Sequence, residues 1–424
     1  MCYAIPGKVV ELKENIAVLN YFGERRNVLN EFDDIKIGDY TYAQGGIIIN
    51  KISEKEALDV LNFWKDKFFE LKKIDNKLAK ITEAESVLPI LQKINLNKDI
   101  SKKELLELLK IKDKKELNLL FETANNIRQK EHDNACCVHG IIEFSNYCNN
   151  DCFYCGIRKS RKIKRYRMSA EEIINTAKYA ANELGFKALV LQSGEDFWYD
   201  EKKLVCLVKE IRKLNVLIFL SIGIRSKETY KMLYEAGARV ALLRFETSNK
   251  KLFEKLRPKK SFEERIALIT HLKKIGYIIA TGFLIGLPEE TEQDAINNIL
   301  LTKSLNPDMY SFGPFIPTKN TPLENYKATD KDAILKVIAL TRLIDKKSKI
   351  LVTTALETLD KDAKKKGLMA GANSLMINLT PNKYKKLYSI YDCKSKNNFS
   401  LKKNVNETIH LLYSLGRAPT DLGV

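Results

Sequence analysis

The spacing of apolar and polar positions divides the chain into three parts. In residues 1–52, short runs such as 16–19, 26–29 and 40–43 are separated by turns that contain Gly23 and Gly38. Short strands joined by close turns are typical of a small β-barrel, because closure of the barrel removes exposed strand edges. We therefore predict a small β-barrel domain over residues 1–52.

Residues 53–134 follow a different pattern, in which apolar residues recur at three- and four-residue spacing. The first such set is Ala57, Val60, Leu61, Trp64 and Phe68. This spacing places the apolar side chains on one face of a helix. We predict connecting helices and helices that cover a larger domain, and we see no residues in this segment that indicate chemistry.

From residue 135 to residue 424, short runs rich in β-branched and apolar residues alternate with helical patterns. The runs are 140–144, 188–192, 217–220, 240–243, 278–280, 309–312, 350–353 and 374–377. This repeat is typical of a (β/α)8 TIM-type barrel, and a doubly wound open sheet is the main alternative. The predicted fold class is therefore α/β, with the barrel and its C-terminal cap over residues 135–424. Such a barrel places its active site on the loops that follow the strands.

Composition limits the classes of protein to be considered. Hydrophobic residues make up 45% and charged residues 30% of the chain, as in a globular protein. The 72 Lys and Arg exceed the 54 Asp and Glu and give a net charge of +18. The basic residues are spread over many helical segments without an aromatic RNA-binding motif, so we expect no nucleic-acid partner. No apolar run is long enough to cross a membrane, and we expect a cytoplasmic protein without a membrane partner.

The cysteines Cys148, Cys152 and Cys155 form a CxxxCxxC loop directly after the first predicted barrel strand. Three thiolates in one tight loop can hold three irons of a 4Fe–4S cluster and leave the fourth iron to S-adenosylmethionine (SAM). An electron from such a cluster can split SAM into methionine and a 5′-deoxyadenosyl radical. A structural zinc ion is the alternative, but it requires four ligands and usually paired CxxC units. The spacing favours one 4Fe–4S cluster, with these three cysteines as its catalytic ligands.

Polar residues follow two other predicted strands. The loop at residues 192–196 combines a glycine that permits close backbone approach to a ligand with polar side chains that can hold the amino group or the ribose of SAM. Arg244 and Glu246 stand two residues apart, so they face the same side of an extended segment. Arg244 or Arg265 can pair with a carboxylate, and Glu246 can accept hydrogen bonds from a ribose or an amine. Taken singly, each of these residues also fits an ordinary salt bridge at the barrel rim.

From about residue 85 onward the chain closely resembles the HydE family, radical SAM maturases of the biotin-synthase-like group. The matching segments are 142–148, 155–158, 164–168, 191–196, 243–247, 286–288, 313–317, 353–355 and 371–373. The resemblance implies that SAM is bound by Tyr154, Gln192, Ser193, Gly194, Glu246 and Arg265. It also implies a substrate cavity lined by Arg244, Thr353, Thr354, Asn378, Thr380 and Tyr384.

In that family the enzyme processes an iron–carbonyl–cyanide precursor during hydrogenase assembly. The resemblance therefore implies a small-molecule or organometallic substrate, a reductant such as ferredoxin or flavodoxin, and contacts with other hydrogenase maturation proteins. Some members carry a second cluster near the end of the barrel. Residues 369–371 contain no cysteine here and Cys393 stands alone, so we expect a single cluster.

The first domain is similar to the HypC/HupF family of NiFe-hydrogenase assembly chaperones, through residues 1–10 and 38–40. In that family the cysteine after the initiator methionine binds an iron that carries cyanide and carbon monoxide. Cys2 is therefore a candidate iron ligand. Gln44 replaces a histidine that is usual in the family, and the alternative role of Cys2 is that of a retained thiol without iron.

Three functions remain open at this point. The first is a radical SAM enzyme of hydrogenase metallocofactor maturation, in which the linked first domain raises the local concentration of an iron fragment. The second keeps the radical chemistry but acts on an organic substrate, as in enzymes of the biotin-synthase and methylornithine-synthase type. The third is an assembly scaffold with a structural cluster, which the complete cysteine loop and the SAM-type loops disfavour.

Overall fold

The computed structural model describes residues 5–79, 89–96, 98–392 and 400–420. Cys2 and Cys393 lie outside these residues. The strands of the first domain are β1 (Gly7–Lys13), β2 (Ile16–Tyr21), β3 (Glu24–Leu29), β4 (Tyr40–Gln44) and β5 (Ile47–Ile52). The helices that follow are α1 (Glu54–Leu78), α2 (Pro89–Asn95), α3 (Lys102–Lys110) and α4 (Lys114–His132).

The larger domain alternates strands and helices. Its strands are β6 (Ala135–Ser145), β7 (Ala188–Ser193), β8 (Leu217–Ser221), β9 (Val240–Leu242), β10 (Ile278–Thr281), β11 (Leu284–Ile285), β12 (Met309–Tyr310), β13 (Gly313–Pro314), β14 (Lys349–Val352), β15 (Ser374–Asn378) and β16 (Ala418–Pro419). Its helices are α5 (Ala170–Asn182), α6 (Glu201–Arg212), α7 (Lys227–Glu235), α8 (Lys250–Leu256), α9 (Phe262–Ile275), α10 (Glu292–Ser304), α11 (Lys331–Ile344), α12 (Leu356–Leu359), α13 (Ala363–Met369), α14 (Asn382–Lys385) and α15 (Leu401–Ser414).

The first domain is a small closed barrel, as predicted. Its strands are hydrogen-bonded in the order β1-β2-β3-β5-β4, and β4 pairs back with β1. Val9, Leu19, Tyr21 and Val28 fill the interior together with residues of α1. Helix α1 begins at a capping box. The Ser53 side chain accepts a hydrogen bond from Glu56 N, and the Glu56 side chain accepts one from Ser53 N.

The large domain is a closed parallel barrel. Within the described residues, β6, β7, β8, β9, β10, β12, β14 and β15 follow one another around it, and β15 pairs with β6. The register places Met376 beside His139 and Asn378 beside Ile141. Because the sheet closes on itself, the (β/α)8 barrel is confirmed and the open doubly wound sheet is wrong. The short strand β16, which the sequence pattern did not indicate, pairs with the beginning of β6.

The small barrel closes the amino-terminal end of the large one. Ile47 and Ile49 of β5 pack against a layer of apolar side chains inside the large barrel. Ala188, Leu217 and Val240 in this layer are the first residues of their strands, so the contact lies at the end opposite to the loops that follow the strands. The two barrels therefore share one apolar core at this end, and the other end is left for a site.

The helices carry apolar faces that cover these two barrels. In the part of the chain that the structure describes, no helix combines the length and the apolarity that a membrane crossing requires.

Asp75 of α1 lies between Arg128 of α4 and Arg417, which precedes β16. Arg128 Nη1 is 2.8 Å from Asp75 Oδ2, and Arg417 Nε is 3.0 Å from Oδ1. These fully buried groups join helices α1 and α4 to the segment that leads into β16.

Replacing Asp75 tests this connection. In Asp75→Ala both arginines lose their counter-charge inside the protein, so we expect the free energy of unfolding to fall by about 3–5 kcal/mol. Glu70→Ala is the matched control on the same helix, because the partly exposed Glu70–Lys67 pair contributes at most about 1 kcal/mol. Urea unfolding of both variants measures the difference. Equal, small losses would show that the buried triad is not a main contribution to stability.

Candidate active site

The three motif cysteines lie in the loop between β6 and α5, at the carboxyl end of the barrel. Cys152 is buried, and Cys148 and Cys155 are half-buried. All three line a cavity of about 280 Å³. The site is therefore at the end of the barrel that the sequence pattern predicts, opposite to the small barrel.

Backbone hydrogen bonds fix the cysteine loop to three other segments. Asn149 N donates to Glu195 O (3.0 Å) after β7, and Phe153 N donates to Leu256 O (2.9 Å) at the end of α8. Gly156 N donates to Ile390 O (2.8 Å) in the C-terminal segment. These bonds use main-chain atoms, so the thiols remain available to a ligand.

Two glycines give the loops the space they need. A Cβ on Gly194 would lie 2.2 Å from Tyr147 O and 2.8 Å from Cys148 Cβ, so only glycine permits the β7 loop to pack on the cysteine loop. Gly223 has a φ of +72°, and a Cβ there would lie 2.1 Å from Glu195 Cγ. The second glycine therefore creates the space that the Glu195 side chain occupies.

A group of buried charges lines the same cavity as the cysteines. Arg257 Nη1 is 3.8 Å from Glu246 Oε1, and Arg257 Nη2 is 4.0 Å from Glu195 Oε1. Arg265 Nη1 is 3.8 Å from Glu195 Oε1, and Arg244 Nη2 is 3.4 Å from Glu246 Oε2. Acidic and basic groups alternate here, so the net charge of the group stays small despite its burial.

Several atoms of this group have no hydrogen bond. Among the described residues, Glu195 Oε2, Glu246 Oε2, Arg257 Nε and Arg265 Nη1 are buried without a hydrogen-bond partner. A buried polar atom without a partner costs about 1–3 kcal/mol or more. Four such atoms around one cavity indicate a polar ligand that completes them.

The backbone at Glu246 is also unusual. Its φ is +73°, a left-handed conformation that residues other than glycine seldom adopt. The conformation is held because Leu284 N donates to Glu246 O (2.8 Å). Strain of this kind costs about 1–3 kcal/mol and is concentrated at functional sites. It directs the carboxylate of Glu246 into the cavity, where this side chain is a lining group.

Tyr154 and Arg257 connect the charges to the cysteine loop. Arg257 Nη1 donates to the Tyr154 hydroxyl (3.2 Å). Burial is the main cause that raises the pKa of Tyr154 well above its usual value, so the phenol stays protonated. Burial alone would lower the pKa of Arg257, but neighbouring acidic groups, Cys152 first among them and Glu246 as well, outweigh it and raise the pKa. Arg257 is therefore a permanent cation beside Cys152.

The deeper part of the cavity is formed by β6, β14, β15 and the C-terminal segment. Asn378 Nδ2 donates to Glu143 Oε2 (2.8 Å), and Thr353 Oγ1 is buried with no hydrogen-bond partner in the described residues. Tyr391 also lines this part, and burial raises its pKa to about 12. Apolar side chains such as Met376 lie among these groups. The pocket combines an apolar surface with a few polar groups, as small-molecule sites commonly do.

Most of the residues expected in the site do line this one cavity. They are Cys148, Cys152, Tyr154, Cys155, Gln192, Ser193, Gly194, Arg244, Glu246, Arg265, Thr353, Thr354 and Asn378. Thr380 and Tyr384 do not. The Thr380 hydroxyl is buried behind β6, where it accepts a hydrogen bond from Glu143 N (2.8 Å). The Tyr384 hydroxyl donates to Glu172 (2.8 Å) and its ring stacks on Tyr166, so the expectation of cavity-facing side chains is corrected for both.

The structure also adds residues that sequence reasoning missed. Glu143, Arg257, Tyr388 and Tyr391 line the same cavity. Alternation along β6 gave a signal for Glu143, which lies two residues after the inward-facing Ile141. The other three come from loops, where no periodicity indicates the direction of a side chain.

The Asp196 side chain, in contrast, bonds to other side chains of the protein and does not line the cavity. Arg167 donates to both of its carboxylate oxygens (2.7 and 3.0 Å), and the Ser145 hydroxyl donates to Oδ2 (2.7 Å). These bonds join the β7 loop to the segment that returns from the cysteine loop. Both oxygens are therefore occupied within the protein, whereas Oε2 of the neighbouring Glu195 has no hydrogen bond and lies 3.9 Å from Lys260 Nζ.

The donor set fits a 4Fe–4S cluster with a bound SAM. The three thiols line the same cavity as buried carboxylate and guanidinium atoms that have no hydrogen bond. Among the described residues, no group of three or more His, Cys, Asp or Glu side chains is arranged to hold a metal ion; a cubane instead places each thiolate on a different iron. Burial, reinforced by the other two thiols, raises the pKa of Cys155, so its proton is released only when iron replaces it.

Comparison with family models gives a consistent assignment for three segments. Residues 142–301 match the Radical SAM superfamily. Residues 1–64 match the HupF/HypC family, and residues 311–417 match the Biotin and Thiamin Synthesis associated domain. The first match contains the cysteine loop and the strands β7 to β11, and the last contains β14, β15 and the C-terminal residues that line the deeper part of the cavity.

Two solved structures share the barrel fold. The crystal structure of methylornithine synthase (PylB) has a TM-score of 0.71 and 28% sequence identity, covering 78% of this chain and 97% of that chain. The crystal structure of HydG, a maturase of the [FeFe]-hydrogenase, has a TM-score of 0.67 at 20% identity and covers 83% of this chain and 78% of that chain. The second likeness concerns the fold alone.

Sequence relatives narrow the assignment further. A 3-methylornithine synthase from Methanosarcina acetivorans is 35% identical over 277 residues, 65% of this chain and 78% of the relative. The [FeFe] hydrogenase maturase subunit HydE from Thermotoga maritima is 42% identical over 303 residues, 71% of this chain and 86% of the relative. The chain therefore belongs to the HydE-like radical SAM enzymes and carries a HupF/HypC-type domain at its amino terminus.

Proposed function

We propose that this enzyme acts in the maturation of a hydrogenase metallocofactor, by radical chemistry on a small precursor held in the barrel cavity. The observation that carries the proposal is the common cavity of the three motif thiols and the unpartnered buried charges. The similarity to HydE supports the assignment to hydrogenase maturation. The precursor we propose is an iron–carbonyl–cyanide fragment.

The three cysteines hold the cluster in this proposal. Cys148, Cys152 and Cys155 bind three irons, and the fixed loop backbone keeps the thiolates on one wall of the cavity. When bound, the cluster supplies one electron to SAM, which breaks a C–S bond and gives methionine and a 5′-deoxyadenosyl radical. Arg257 remains charged beside Cys152 and offsets part of the negative charge of the thiolates.

The facing residues hold SAM. Glu246 accepts hydrogen bonds from the ribose or the amino group through its unpartnered oxygen, and Arg265 pairs with the carboxylate through Nη1. The glycine at position 194 permits close approach, and Gln192 and Ser193 add polar contacts from β7. Tyr154 lies between the cluster ligands and this group, where its protonated hydroxyl can donate a hydrogen bond.

The substrate lies deeper, against β14 and β15. Thr353, Thr354 and Asn378 provide polar contacts there, and Arg244 stands at the boundary with the SAM site. With a cluster held by Cys148, Cys152 and Cys155 and SAM held by Glu246 and Arg265, the cavity would keep a radical formed there from water. The HupF/HypC-type domain at the other end of the barrel provides contacts with other hydrogenase maturation proteins, and Cys2 remains its candidate iron ligand.

A second candidate function keeps the radical chemistry and changes the substrate. The similarity to 3-methylornithine synthase in sequence and structure favours it. The buried Glu143 carboxylate, already bonded to Asn378, provides a negative group that an amine of an amino acid could meet. In that case the precursor is organic and carries no iron.

The cluster assignment is tested by Cys152→Ala. Loss of one of three thiolates removes an iron ligand, so anaerobic reconstitution should yield a protein with little 4Fe–4S absorption and no production of 5′-deoxyadenosine. Cys206→Ala is the matched control, because Cys206 is an exposed thiol of α6, and it should retain both signals. A Cys152→Ala protein that cleaves SAM as fast as the parent would contradict the assignment.

The SAM assignment is tested by Glu246→Gln in the reconstituted protein. Loss of the charged acceptor should raise the dissociation constant of SAM by about 10- to 100-fold, since a hydrogen bond to a charged group is worth about 1.5–3 kcal/mol. Calorimetric titration under anaerobic conditions measures the constant. Glu172→Gln, in which the altered carboxylate contacts Lys383 and Tyr384 outside the cavity, should bind SAM normally. Equal affinities for both variants would remove Glu246 from the SAM site.

The two substrates are distinguished by what accelerates the cleavage of SAM. An iron–carbonyl–cyanide precursor should increase the rate of 5′-deoxyadenosine formation and be consumed, because substrate that accepts the radical draws the reaction forward. Lysine, an isomer of 3-methylornithine, should have no effect. If lysine is consumed and the iron complex is not, the second candidate function replaces the first.

If Cys148→Ala leaves maturation intact and Cys2→Ala abolishes it, the chain acts instead as a scaffold.

A further inference from the structure

A strongly basic segment follows the cysteine loop directly. Seven of the ten residues at positions 158–167 are Lys or Arg, and none is Asp or Glu. Its arginines are used within the protein: Arg158 pairs with Asp151 (2.7 Å), for example, and Arg167 with Asp196 (2.7 Å). The lysines are not used in this way.

Three lysines of the segment carry uncompensated charge. Lys159, Lys162 and Lys164 are exposed, and none of them makes an ion pair with a described residue. The backbone of the segment is nevertheless held in place. Lys159 N donates to Asn150 O (2.8 Å), and Asn146 Nδ2 donates to Lys164 O (2.9 Å). Because Asn146 and Asn150 flank Cys148, the segment that carries these lysines is bonded directly to the loop whose thiols line the cavity, and none of the three lysines lines the cavity itself.

Two exposed aromatic residues adjoin this segment. Phe197 is 53% and Trp198 49% exposed, and both lie in the β7 loop that packs on Cys148 through Gly194. The Arg167 guanidinium lies 3.7 Å from the centre of the Tyr147 ring and 5.3 Å from that of Trp198. Arg167 thus connects the aromatic pair to the residue that precedes Cys148.

We propose that these lysines and the Phe197–Trp198 pair form a docking surface for an acidic one-electron carrier protein. We call this set the carrier surface. The inference rests on the proposed function, because reductive cleavage of SAM needs one electron from outside the protein. In the step itself the carrier is oxidised by one electron and the cluster is reduced by one, with no proton transferred and no bond made or broken.

Charge complementarity supports this occupant. Three uncompensated cations attract a partner with a negative surface and increase the rate at which it arrives. Exposed tryptophan beside arginine is typical of the residues that dominate binding energy at interfaces. None of the residues of the carrier surface lines the cavity, so a docked carrier leaves the cavity open to SAM and substrate.

The experiment uses the full reconstituted chain and a reduced, acidic 2Fe–2S ferredoxin as the probe. Stopped-flow absorption measures the second-order rate constant for reduction of the cluster at low and high ionic strength. One variant carries Lys159→Glu, Lys162→Glu and Lys164→Glu, and a second carries Trp198→Ala. Reduction by dithionite, a small ion that needs no docking surface, is measured in parallel.

Matched controls come from α1, which packs on the small barrel. Lys55→Glu, Lys65→Glu and Lys73→Glu change the net charge by the same amount at exposed lysines. Phe63→Ala removes an aromatic side chain that is 74% exposed. The lysine control should lower the rate constant for reduction by ferredoxin only as far as the smaller net positive charge of the protein requires. Phe63→Ala should leave this rate constant unchanged.

The proposal predicts that the charge-reversal variant reduces the ferredoxin rate constant by about tenfold or more at low ionic strength, and that salt diminishes the difference. Trp198→Ala should slow reduction by ferredoxin at both ionic strengths, and at high ionic strength, where charge effects on this small anion are screened, dithionite should reduce every variant at the parent rate. Equal ferredoxin rates in the carrier-surface variant and in the α1 control would overturn the docking surface. A parent protein that binds no cluster, or does not cleave SAM with dithionite, would instead overturn the proposed function on which the inference rests.

Discussion

The packing of the β7 loop on the cysteine loop is the contact on which the site depends. Gly194 lies so close to Tyr147 and Cys148 that no side chain fits between them, and Asn149 N bonds to the backbone of Glu195. This single contact holds the thiols at the carboxyl end of β6 and places Glu195 opposite them. It also leaves Phe197 and Trp198 exposed on the outer side. The cluster ligands, part of the SAM site and the carrier surface thus share one contact between two loops.

Burial of the charged groups around the cavity is energetically unfavourable, and the packing of the rest of the barrel must compensate for it. Glu195, Glu246, Arg257 and Arg265 are all nearly inaccessible to solvent, and their ion-pair distances of 3.8–4.0 Å are longer than those of good hydrogen bonds. The left-handed backbone at Glu246 adds strain. Such an arrangement is stable because the closed sheet and the shared core with the small barrel fix the positions of the strands. A ligand that completes the hydrogen bonds then gains affinity from a site that is already ordered.

Much of this arrangement follows from the sequence, because regular strands place residues in predictable directions. The alternation of strands and helices predicts the barrel, and the barrel predicts that Cys148 and Glu246 meet at one end. The chain turns after β15, however, where Thr380 N bonds to the Asn378 side chain (2.9 Å), so Thr380 leaves the inward direction that alternation predicts. Arg257 follows a short helix and reaches the cavity only through the packing of its loop. The small barrel was predictable as a unit, but its closure of the large barrel was not, since Ile47 and Ile49 fit the core of either domain.

The central claim is that the three motif thiols and the facing charges form one site for a cluster and SAM. Electron paramagnetic resonance of the anaerobically reconstituted and reduced protein, recorded with and without SAM, tests this claim most directly. We expect a 4Fe–4S signal whose shape changes when SAM is added, because SAM binds the iron that has no cysteine. The absence of a cluster signal, or a signal that is the same with and without SAM, would contradict it.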